Sequence, residues 1–407
     1  MKKKFWIVTE LFHPDETAVA YIFTRIAEKL SKKYDVNVLA GPEFYDKDKI
    51  SFSDNIKLNP NIKINRYGSL DINKNNLLQR TLNIILLSLK LANGIRKKVT
   101  KDDIILLATN PAPIILLAGF LKRIKKFELH ILVHDVFPEN TIPAGVFSSR
   151  RNIFYKFLKF IFDKSYSFAD HLIVLGIDMQ KMMEQKISNK TKCVISIIPN
   201  WSENSKIFPI GRKDSLISEW KLEGKIVIQY AGNIGRVQAL LEFLDAFINC
   251  KNKNIHLVFC GAGALVPEIK KKIEENNLSN VSIFGAYSRD QQNEILNSSD
   301  ISLVSLSKGM YGLGVPSKSY HILAAGKPIL YIGDSGTEIF NLVKSENVGW
   351  AFDITKKEDL TSFLDSLNIN HLDKYEEIGR RARKLSEEKY DEEVILDLFQ
   401  KQIQYFN

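Results

Sequence analysis

Residues 305–333 constrain the fold of this chain more than any other stretch. The stretch begins where an apolar run, residues 301–306, ends, and it then passes through a loop that contains three glycines and a proline. A helical pattern follows over residues 317–325, and a Gly-Lys-Pro turn leads into a second apolar run, residues 329–332. The pattern predicts strand, loop, helix, turn and strand, which is half of a doubly wound parallel unit.

The glycine-rich loop and the helix start behind it have the features of an anion-binding site. Glycine lets the backbone approach a ligand closely because no Cβ intervenes, and the free N–H groups at a helix start favour a phosphate. We expect Ser317 to cap this helix and Lys318 to supply a fixed positive charge. The alternative is that the Gly-Lys-Pro sequence is only a turn and that Lys318 is only a solvated side chain.

Strand and helix patterns alternate in the same way along the whole chain. Its 407 residues are too many for one ordinary core, and near-continuous apolar runs between helices indicate parallel sheets covered on both faces. The Ile-Pro-Asn-Trp sequence at residues 198–201 is the predicted junction between two similar halves. The predicted domains are residues 1–199 and residues 200–387, with a final helix at about 388–407 that packs back on the first domain.

The charge is unevenly distributed between the two halves. Residues 1–200 contain 32 Lys and Arg against 19 Asp and Glu, whereas residues 201–407 contain 25 against 28. A basic half beside a nearly neutral half predicts that the first domain meets an anionic membrane, nucleic acid or substrate. No apolar run reaches the ~18 residues of a membrane span, and three widely spaced cysteines favour a reducing cytoplasm.

Aromatic and basic residues alternate in a predicted helix at residues 151–168. Lys156, Lys159 and Lys164 lie among its phenylalanines, which is typical of a helix at a membrane interface. Ordinary core stripes with solvated lysines are the alternative. RNA could use the same side chains, but no RNA-binding signature accompanies them, so we expect no nucleic-acid partner.

The strand ends of the second half predict a diphosphate-binding site. Gly235, Arg236 and Lys318 supply the backbone donors and cations that a diphosphate needs. A dinucleotide enzyme is disfavoured, because the loop after residue 231 lacks the G-x-G-x-x-G pattern. The further substrate-binding candidates lie at the same strand ends or close behind them: Gly232, Asn233, Gly261, Gly263, Tyr287, Gly312, Gly314 and Ser317.

The polar residues at other strand ends each have two possible roles, one functional and one structural. His134 and Asp135 are the best polar pair of the first half, but they could simply satisfy backbone groups where a strand ends. The first loop contains His13, Asp15 and Glu16, whose acidic side chains could contact an acceptor hydroxyl or cap the following helix. Glu338 could reach a ribose or sugar hydroxyl or be a helix-start charge.

Together these residues resemble the retaining glycosyltransferases of family 4. The resemblance covers nearly the whole chain, and its motifs are Phe12-His13-Pro14-Asp15, the His-Asp-Val-Phe-Pro-Glu sequence at 134–139, and segments 198–201, 230–236, 261–263, 315–318 and 324–328. It implies the α/β GT-B fold, with two Rossmann-like doubly wound domains facing a central cleft. The most similar members are bacterial O-antigen and capsule polysaccharide transferases of the N-acetylfucosaminyltransferase-like type.

The resemblance implies a specific reaction. A nucleotide-diphosphate sugar, usually a UDP-sugar, would bind the second domain, and a lipid-linked glycan acceptor would meet the first domain at the inner face of the plasma membrane. His134, Asp135, Arg236 and Lys318 would be the catalytic residues. The transfer would retain the anomeric configuration and need no cofactor or metal, since the two cations neutralise the leaving diphosphate.

Two features of the chain depart from the family pattern. A Gly-Gly pair common in the first loop is replaced by Glu16-Thr17-Ala18, and two glutamates common near the glycine-rich loop are absent, with His321 at one of those positions. Two rival functions therefore stay open: a nucleotide-sugar 2-epimerase of the same architecture, and a non-catalytic nucleotide-sugar-binding partner in a polysaccharide assembly complex.

Overall fold

The computed structural model describes residues 4–15, 17–43, 58–68, 77–187 and 192–405. The chain divides into two compact units, Met1–Ile198 with Leu396–Asn407, and Pro199–Ile395. The sequence-based junction at residue 199 lies one residue from this division, whereas the return to the first unit comes at Leu396, later than the predicted 388. The substrate roles assigned to the two domains stay predictions.

The first unit contains a seven-stranded sheet in the order β3-β2-β1-β4-β5-β6-β7. Every neighbouring pair is parallel, and the inner strands are almost completely buried because helices cover the sheet. Its strands are β1 Lys4–Thr9, β2 Asp35–Ala40, β3 Lys63–Arg66, β4 Ile104–Ala108, β5 Glu128–Val133, β6 His171–Val174 and β7 Val194–Ile197.

Local sequence signals set the helix boundaries of this unit. Thr17 accepts a hydrogen bond from the Ala20 N–H at 3.3 Å and begins the first helix. Asn152 caps the fourth helix by accepting from the N–H of Phe154. The helices are α1 Ala18–Ser31, α2 Leu77–Lys98, α3 Pro113–Lys125, α4 Ile153–Tyr166 and α5 Ile177–Lys186.

The second unit contains a six-stranded sheet in the order β10-β9-β8-β11-β12-β13. It is also wholly parallel, and apolar clusters pack on both of its faces. Its strands are β8 Ile226–Ala231, β9 Ile255–Cys260, β10 Val281–Phe284, β11 Ile301–Ser305, β12 Ile329–Gly333 and β13 Gly349–Asp353.

Nine α-helices are described after the junction, and the last of them returns to the first unit. They are α6 Leu216–Glu219, α7 Leu240–Ile248, α8 Val266–Glu275, α9 Gln292–Asn297, α10 Lys318–Ala324, α11 Glu338–Ser345, α12 Lys357–Ser366, α13 Leu372–Lys389 and α14 Glu392–Tyr405. The final helix, predicted at about residues 388–407, is α14, and it begins at Glu392 after a break in the helical structure at Tyr390 and Asp391. The Trp201 Nε1–H donates to Glu392 at 3.0 Å, which holds the start of α14 on the second unit.

The predicted fold class, two doubly wound parallel α/β domains, is confirmed by these sheets. Strand β13 was not predicted because its apolar run, residues 350–352, is only three residues long and lies between Gly349 and Asp353. Among the described helices, none combines the length and apolarity needed to cross a bilayer.

Candidate active site

The strand order of the second unit places a crevice beside the end of β8. Strands β8 and β11 are neighbours, and successive connections lead away from them in opposite directions. Ligands of open parallel sheets bind at the carboxyl ends of the strands at such a switch point. The loop after β8, residues 232–239, and the glycine-rich loop after β11 both start there, and Ser307 joins them because its N–H donates to the carbonyl of Val237 at 2.9 Å.

Lys318 is the most unusual side chain at this point. Its Nζ is buried and has no hydrogen-bond partner within the described part of the chain, and it lies 3.5 Å from the centroid of the Tyr230 ring. Burial lowers the pKa of Lys318 from 10.5 to about 7. An unpaired buried ammonium is costly to fold, so Lys318 is a candidate for a functional rather than a structural role.

Gly232 borders the Lys318 ammonium directly. A Cβ added at Gly232 would lie 3.1 Å from the Lys318 Nζ, and the φ of Gly232 is +129°. The same loop is closed by Tyr230, whose hydroxyl donates to the carbonyl of Asn233 at 2.7 Å. Backbone and cation are therefore adjacent at the end of β8, as a diphosphate site requires.

Gly261 and Gly263 allow the loops after β8 and β9 to pack against each other. A Cβ at Gly261 would lie 1.9 Å from the carbonyl oxygen of Gly232, and one at Gly263 would lie 2.2 Å from that of Ile234. The structure thus gives both glycines a packing role that fully explains their identity. Their predicted contact with substrate stays a prediction.

Arg236 is exposed beside this crevice. No ion pair joins its guanidinium to another side chain of the described ranges, so its charge is available to a ligand. The loop that faces it is ordered by Asp334, which follows β12. One Asp334 carboxylate oxygen accepts from the N–H of Gly309 at 2.8 Å and from the N–H of Tyr311 at 3.2 Å.

The first unit has a comparable cluster at the carboxyl ends of β4 and β5. His134 follows β5, and both of its ring nitrogens are buried without a hydrogen-bond partner in the described residues. The ring meets Phe23 edge-on, with 5.8 Å between centroids. Burial lowers the pKa of His134 to about 4, so the imidazole is neutral near pH 7.

Asp135 lies beside His134 and is held by Asn110. The Asn110 Nδ2 donates to the Asp135 carboxylate at 3.2 Å, and the Asp135 N–H donates to the Thr109 hydroxyl at 3.3 Å. Burial raises the pKa of Asp135, and the hydrogen bond from Asn110 offsets only part of this rise. A buried acid and a neutral imidazole are groups that can bind a hydroxyl and its proton.

The loop after β1 is tied to its neighbours by Arg66. The Arg66 guanidinium donates to the carbonyls of His13, Gly41 and Pro42, so the loops after β1 and β2 meet at this side chain. Asp15 accepts at 2.8 Å from the N–H of Thr17, and it is Thr17 that caps α1, so the capping role considered for Asp15 belongs to Thr17. Glu16 lies outside the described residues.

Comparison with known proteins identifies the family. Residues 213–385 match the family described as glycosyl transferases, group 1. WbjE of Pseudomonas aeruginosa, named a probable glycosyltransferase, is 36% identical over 330 residues, which cover 80% of each chain. The chain belongs to the group 1 glycosyltransferases. WcaI of Escherichia coli K12, named for colanic acid biosynthesis, is 26% identical over 170 residues, or 41% of each chain.

A solved structure supports the same fold for this glycosyltransferase. Alr3699/HepE of Anabaena in complex with UDP superposes with a TM-score of 0.73, at 12% identity, over 99% of this chain and 100% of that one. This likeness shows the GT-B fold. The chain is therefore a glycosyltransferase enzyme of GT-B architecture, with relatives in bacterial polysaccharide biosynthesis.

The other predicted site residues of the glycosyltransferase lie around the same strand ends. Ser317 occupies the start of α10, but its side chain makes no capping hydrogen bond, so the predicted cap is wrong. His321, one turn after Lys318, contacts the Ser202 hydroxyl through Nδ1 at 3.2 Å, and burial lowers its pKa to about 4. Tyr287 packs on the apolar cluster that contains Val258 and Tyr320.

Two glycines and one glutamate complete the predicted set. Gly312 has a φ of +70°, which is the left-handed conformation that the loop turn requires. Gly314 lies in the same loop, and Glu338 begins α11 behind the Thr337 N-cap position. No described contact joins Glu338 to Lys318 or Arg236.

Sequence reasoning missed Arg66 and Asp334, which order loops of the candidate site. Each of them stands at a strand end, Arg66 as the last residue of β3 and Asp334 immediately after β12. That position was the only sequence signal available for either. Within the described ranges, no group of three or more His, Cys, Asp or Glu side chains is arranged to hold a metal ion.

Proposed function

We propose that this enzyme transfers a sugar from a nucleotide-diphosphate sugar to a lipid-linked glycan in bacterial surface polysaccharide synthesis. The observation that carries the donor assignment is the buried, unpaired Lys318 ammonium beside Gly232 and the Tyr230 ring. A dianionic diphosphate supplies the missing partner of this cation. Arg236, exposed on the adjoining loop, adds the second positive charge.

UDP is the nucleotide we propose for the donor. The similar protein Alr3699/HepE was solved in complex with UDP, and the family resemblance points to UDP-sugars. We propose further that no metal is required, because the Lys318 and Arg236 charges take the place of a divalent cation at the leaving diphosphate. Transfer that persists in EDTA tests this point.

The proposed transfer retains the anomeric configuration. The bond between the anomeric carbon and the diphosphate oxygen breaks, and the acceptor oxygen bonds to the same face of that carbon. The acceptor proton passes to the departing phosphate oxygen. Lys318 and Arg236 stabilise the charge that develops on this leaving group.

We assign the acceptor to the first unit through His134 and Asp135. A neutral imidazole with two unpartnered nitrogens can both accept from and donate to a sugar hydroxyl. Asp135, held by Asn110, can accept a second hydroxyl hydrogen bond. These contacts orient the acceptor rather than replace the phosphate as the proton acceptor.

An exposed apolar face supports a membrane location for the acceptor. On α4, Phe154 and Phe160 are 71% and 65% exposed, and α3 packs against both α2 and α4. The large exposed apolar side chains of these three helices form what we name the apolar face: Leu82, Ile85, Leu89, Phe120, Ile124, Ile153, Phe154, Phe157 and Phe160. Exposed Arg151, Lys156 and Lys164 accompany it, which suits an anionic bilayer surface.

Lys159 differs from the other two lysines of the predicted membrane helix. Its ammonium pairs with Glu139 at 2.9 Å and Asp163 at 2.7 Å, although the side chain is still partly exposed. The expectation that all three lysines meet lipid is therefore corrected for Lys159. The carboxylates of Glu139 and Asp163 bind this ammonium, whereas a fully solvated lysine would be bound only by water.

A transfer assay tests the proposed function. The enzyme is incubated in EDTA with radiolabelled UDP-glucose or UDP-N-acetylglucosamine and a lipid extract of bacterial membranes. We expect label in the lipid fraction, with the donor's anomeric configuration in the new bond. Interconversion of the UDP-sugars without acceptor would instead favour the epimerase, and UDP binding without turnover on lipid acceptors would favour a non-catalytic partner.

A further inference from the structure

A buried ionic cluster lies beneath α4 in the first unit. Lys186 of α5 donates to both carboxylate oxygens of Glu139, at 2.8 and 2.6 Å, and contacts Asp163 at 2.5 Å. Lys159 also donates to Glu139, at 2.9 Å. The side chains of Lys186 and Glu139 are only 1% and 4% exposed, so this cluster is part of the interior.

The cluster connects α4 to the loop that carries the acceptor residues. Glu139 is four residues after Asp135, at the end of the segment that begins with His134. The same segment contacts α4 twice more. Phe137 stacks on Phe162, with 6.1 Å between ring centroids, and the Phe137 N–H donates to the Tyr166 hydroxyl at 3.4 Å.

Helix α4 therefore has two faces with different partners. Its outer face exposes Phe154, Phe157 and Phe160, and its inner face presents Lys159 and Asp163 to Glu139 and Lys186. A rigid helix with a ligand on one side and a functional loop on the other can link the two. The loop segment 134–139 is the element that such a link would position.

We propose that Glu139 is a positioning residue that fixes the His134–Asp135 loop to α4, so that docking of α4 on an anionic bilayer orders this loop for the acceptor. The inference rests on the proposed function for the roles of His134 and Asp135. The inference goes beyond the proposed function because it assigns Glu139, Lys159 and Lys186 to the coupling between the membrane and the acceptor site.

The presence of ionic rather than apolar side chains in this buried cluster supports a positioning role for Glu139. A well-packed apolar set often stabilises an interior as much as a buried ion pair does, whereas charged hydrogen bonds impose direction. Burial alone would raise the pKa of Glu139, but the charges of Lys186 and Lys159 and their hydrogen bonds outweigh it and lower this pKa. Glu139 is thus an anion that accepts from two lysines on two different helices.

Three variants separate positioning from folding. Glu139→Gln removes the charge with little change in shape. Lys159→Met breaks the direct bond between Glu139 and α4 at a half-exposed side chain, and it serves if the first variant folds poorly. Lys181→Met is the matched control, because Lys181 is an exposed residue of α5 outside the cluster.

Hydrogen exchange of residues 134–141 is measured with and without phosphatidylglycerol vesicles, together with vesicle binding and UDP affinity. In the unchanged protein and in Lys181→Met, we expect vesicles to slow exchange in this segment. In Glu139→Gln and Lys159→Met, exchange should be fast and unresponsive to vesicles, while vesicle and UDP binding persist. Transfer per UDP-binding site should fall about 10- to 100-fold, with the nucleotide-sugar KM unchanged.

Two results would overturn the proposal. One is slowing of exchange by vesicles in both cluster variants to the extent seen in the unchanged protein. The other is normal transfer per UDP-binding site, which would limit Glu139 to stabilising the fold. Absence of transfer in the unchanged protein would count against the proposed function, whereas the exchange measurement would still decide whether Glu139 couples bilayer and loop.

Discussion

Replacing Lys318 with methionine should stabilise the free enzyme while removing its response to nucleotide. Methionine has a similar length and no charge, so it can fill the space beside Tyr230 without the cost of an unpaired buried ammonium. If Lys318 were an ordinary structural lysine, its loss would not improve the free protein. The opposite effects on stability and binding are therefore diagnostic of a ligand site.

The pKa of Lys318 sets the size and the pH dependence of this effect. A fall from 10.5 to about 7 corresponds to an upper limit of ~5 kcal/mol of lost stability. Below about pH 7 the side chain is charged in both folded and unfolded chains, so the folded state bears the full penalty. The penalty declines as pH rises through 7 and disappears above about pH 10.5, so the advantage of Lys318→Met should be roughly halved by about pH 9.

Nucleotide binding has the reverse pH dependence. A bound diphosphate favours the ammonium and raises the pKa of Lys318, so binding above pH 7 takes up a proton. The Kd should weaken about 10-fold per pH unit above 7. UDP-glucose is the suitable probe, because its diphosphate lacks the terminal phosphate group that titrates near about pH 6.

Thermal unfolding and calorimetry at about pH 6 and about pH 8.5 check these expectations. Lys308→Met is the control, since Lys308 is an exposed residue of the glycine-rich loop that precedes α10. Loss of the ammonium contact in Lys318→Met should weaken UDP-glucose binding by ~1.5–3 kcal/mol. The reasoning would be refuted by a lower Tm of free Lys318→Met at both pH values, or by UDP-glucose affinity that is unchanged by the substitution.

Other substitutions test separate parts of the account. Arg236→Ala should weaken UDP binding by ~1.5–3 kcal/mol without changing Tm, because the side chain is exposed; unchanged affinity would remove it from the site. Gly263→Ala should lower stability by ~1–3 kcal/mol, because the new Cβ would overlap with the backbone of the loop after β8. Gly285→Ala is the control and should not lower stability, because a Cβ at Gly285 has no other atom within 4 Å. Equal unfolding temperatures of the two variants would contradict the packing role of Gly263. Phe157→Glu with Phe160→Glu should release the enzyme from phosphatidylglycerol vesicles at unchanged UDP affinity, and retention on the vesicles would exclude the apolar face as the contact.

Much of the fold could be predicted because buried parallel strands have a clear pattern. Apolar runs such as residues 104–108 and 329–332 are short, continuous and separated by helical patterns, and both of them are strands. The edge strand β13 has only a weak form of this signal, three apolar residues between Gly349 and Asp353. Its pairing with β12 comes from a neighbour that is adjacent only in the folded sheet.

The candidate site was less predictable because burial and pairing are tertiary properties. Lys318 could be recognised as a cation from the sequence. Its lack of a hydrogen-bond partner among the described residues and its lowered pKa result from burial by neighbouring residues in the folded protein. Lys159 has the same sequence surroundings as Lys156, yet it turns toward Glu139, which is twenty residues away. Gly261 fits a ligand loop by pattern, while the structure shows that it makes room for another loop.

Calorimetric titration of the unchanged enzyme with UDP, GDP, dTDP and NAD in EDTA tests the central claim most directly. The account predicts saturable one-site binding of a nucleoside diphosphate, UDP above the others, with no binding of NAD. Such binding would place a nucleotide-diphosphate donor on the enzyme without a metal. Failure of all three nucleoside diphosphates to bind would contradict the donor site built around Lys318 and Arg236.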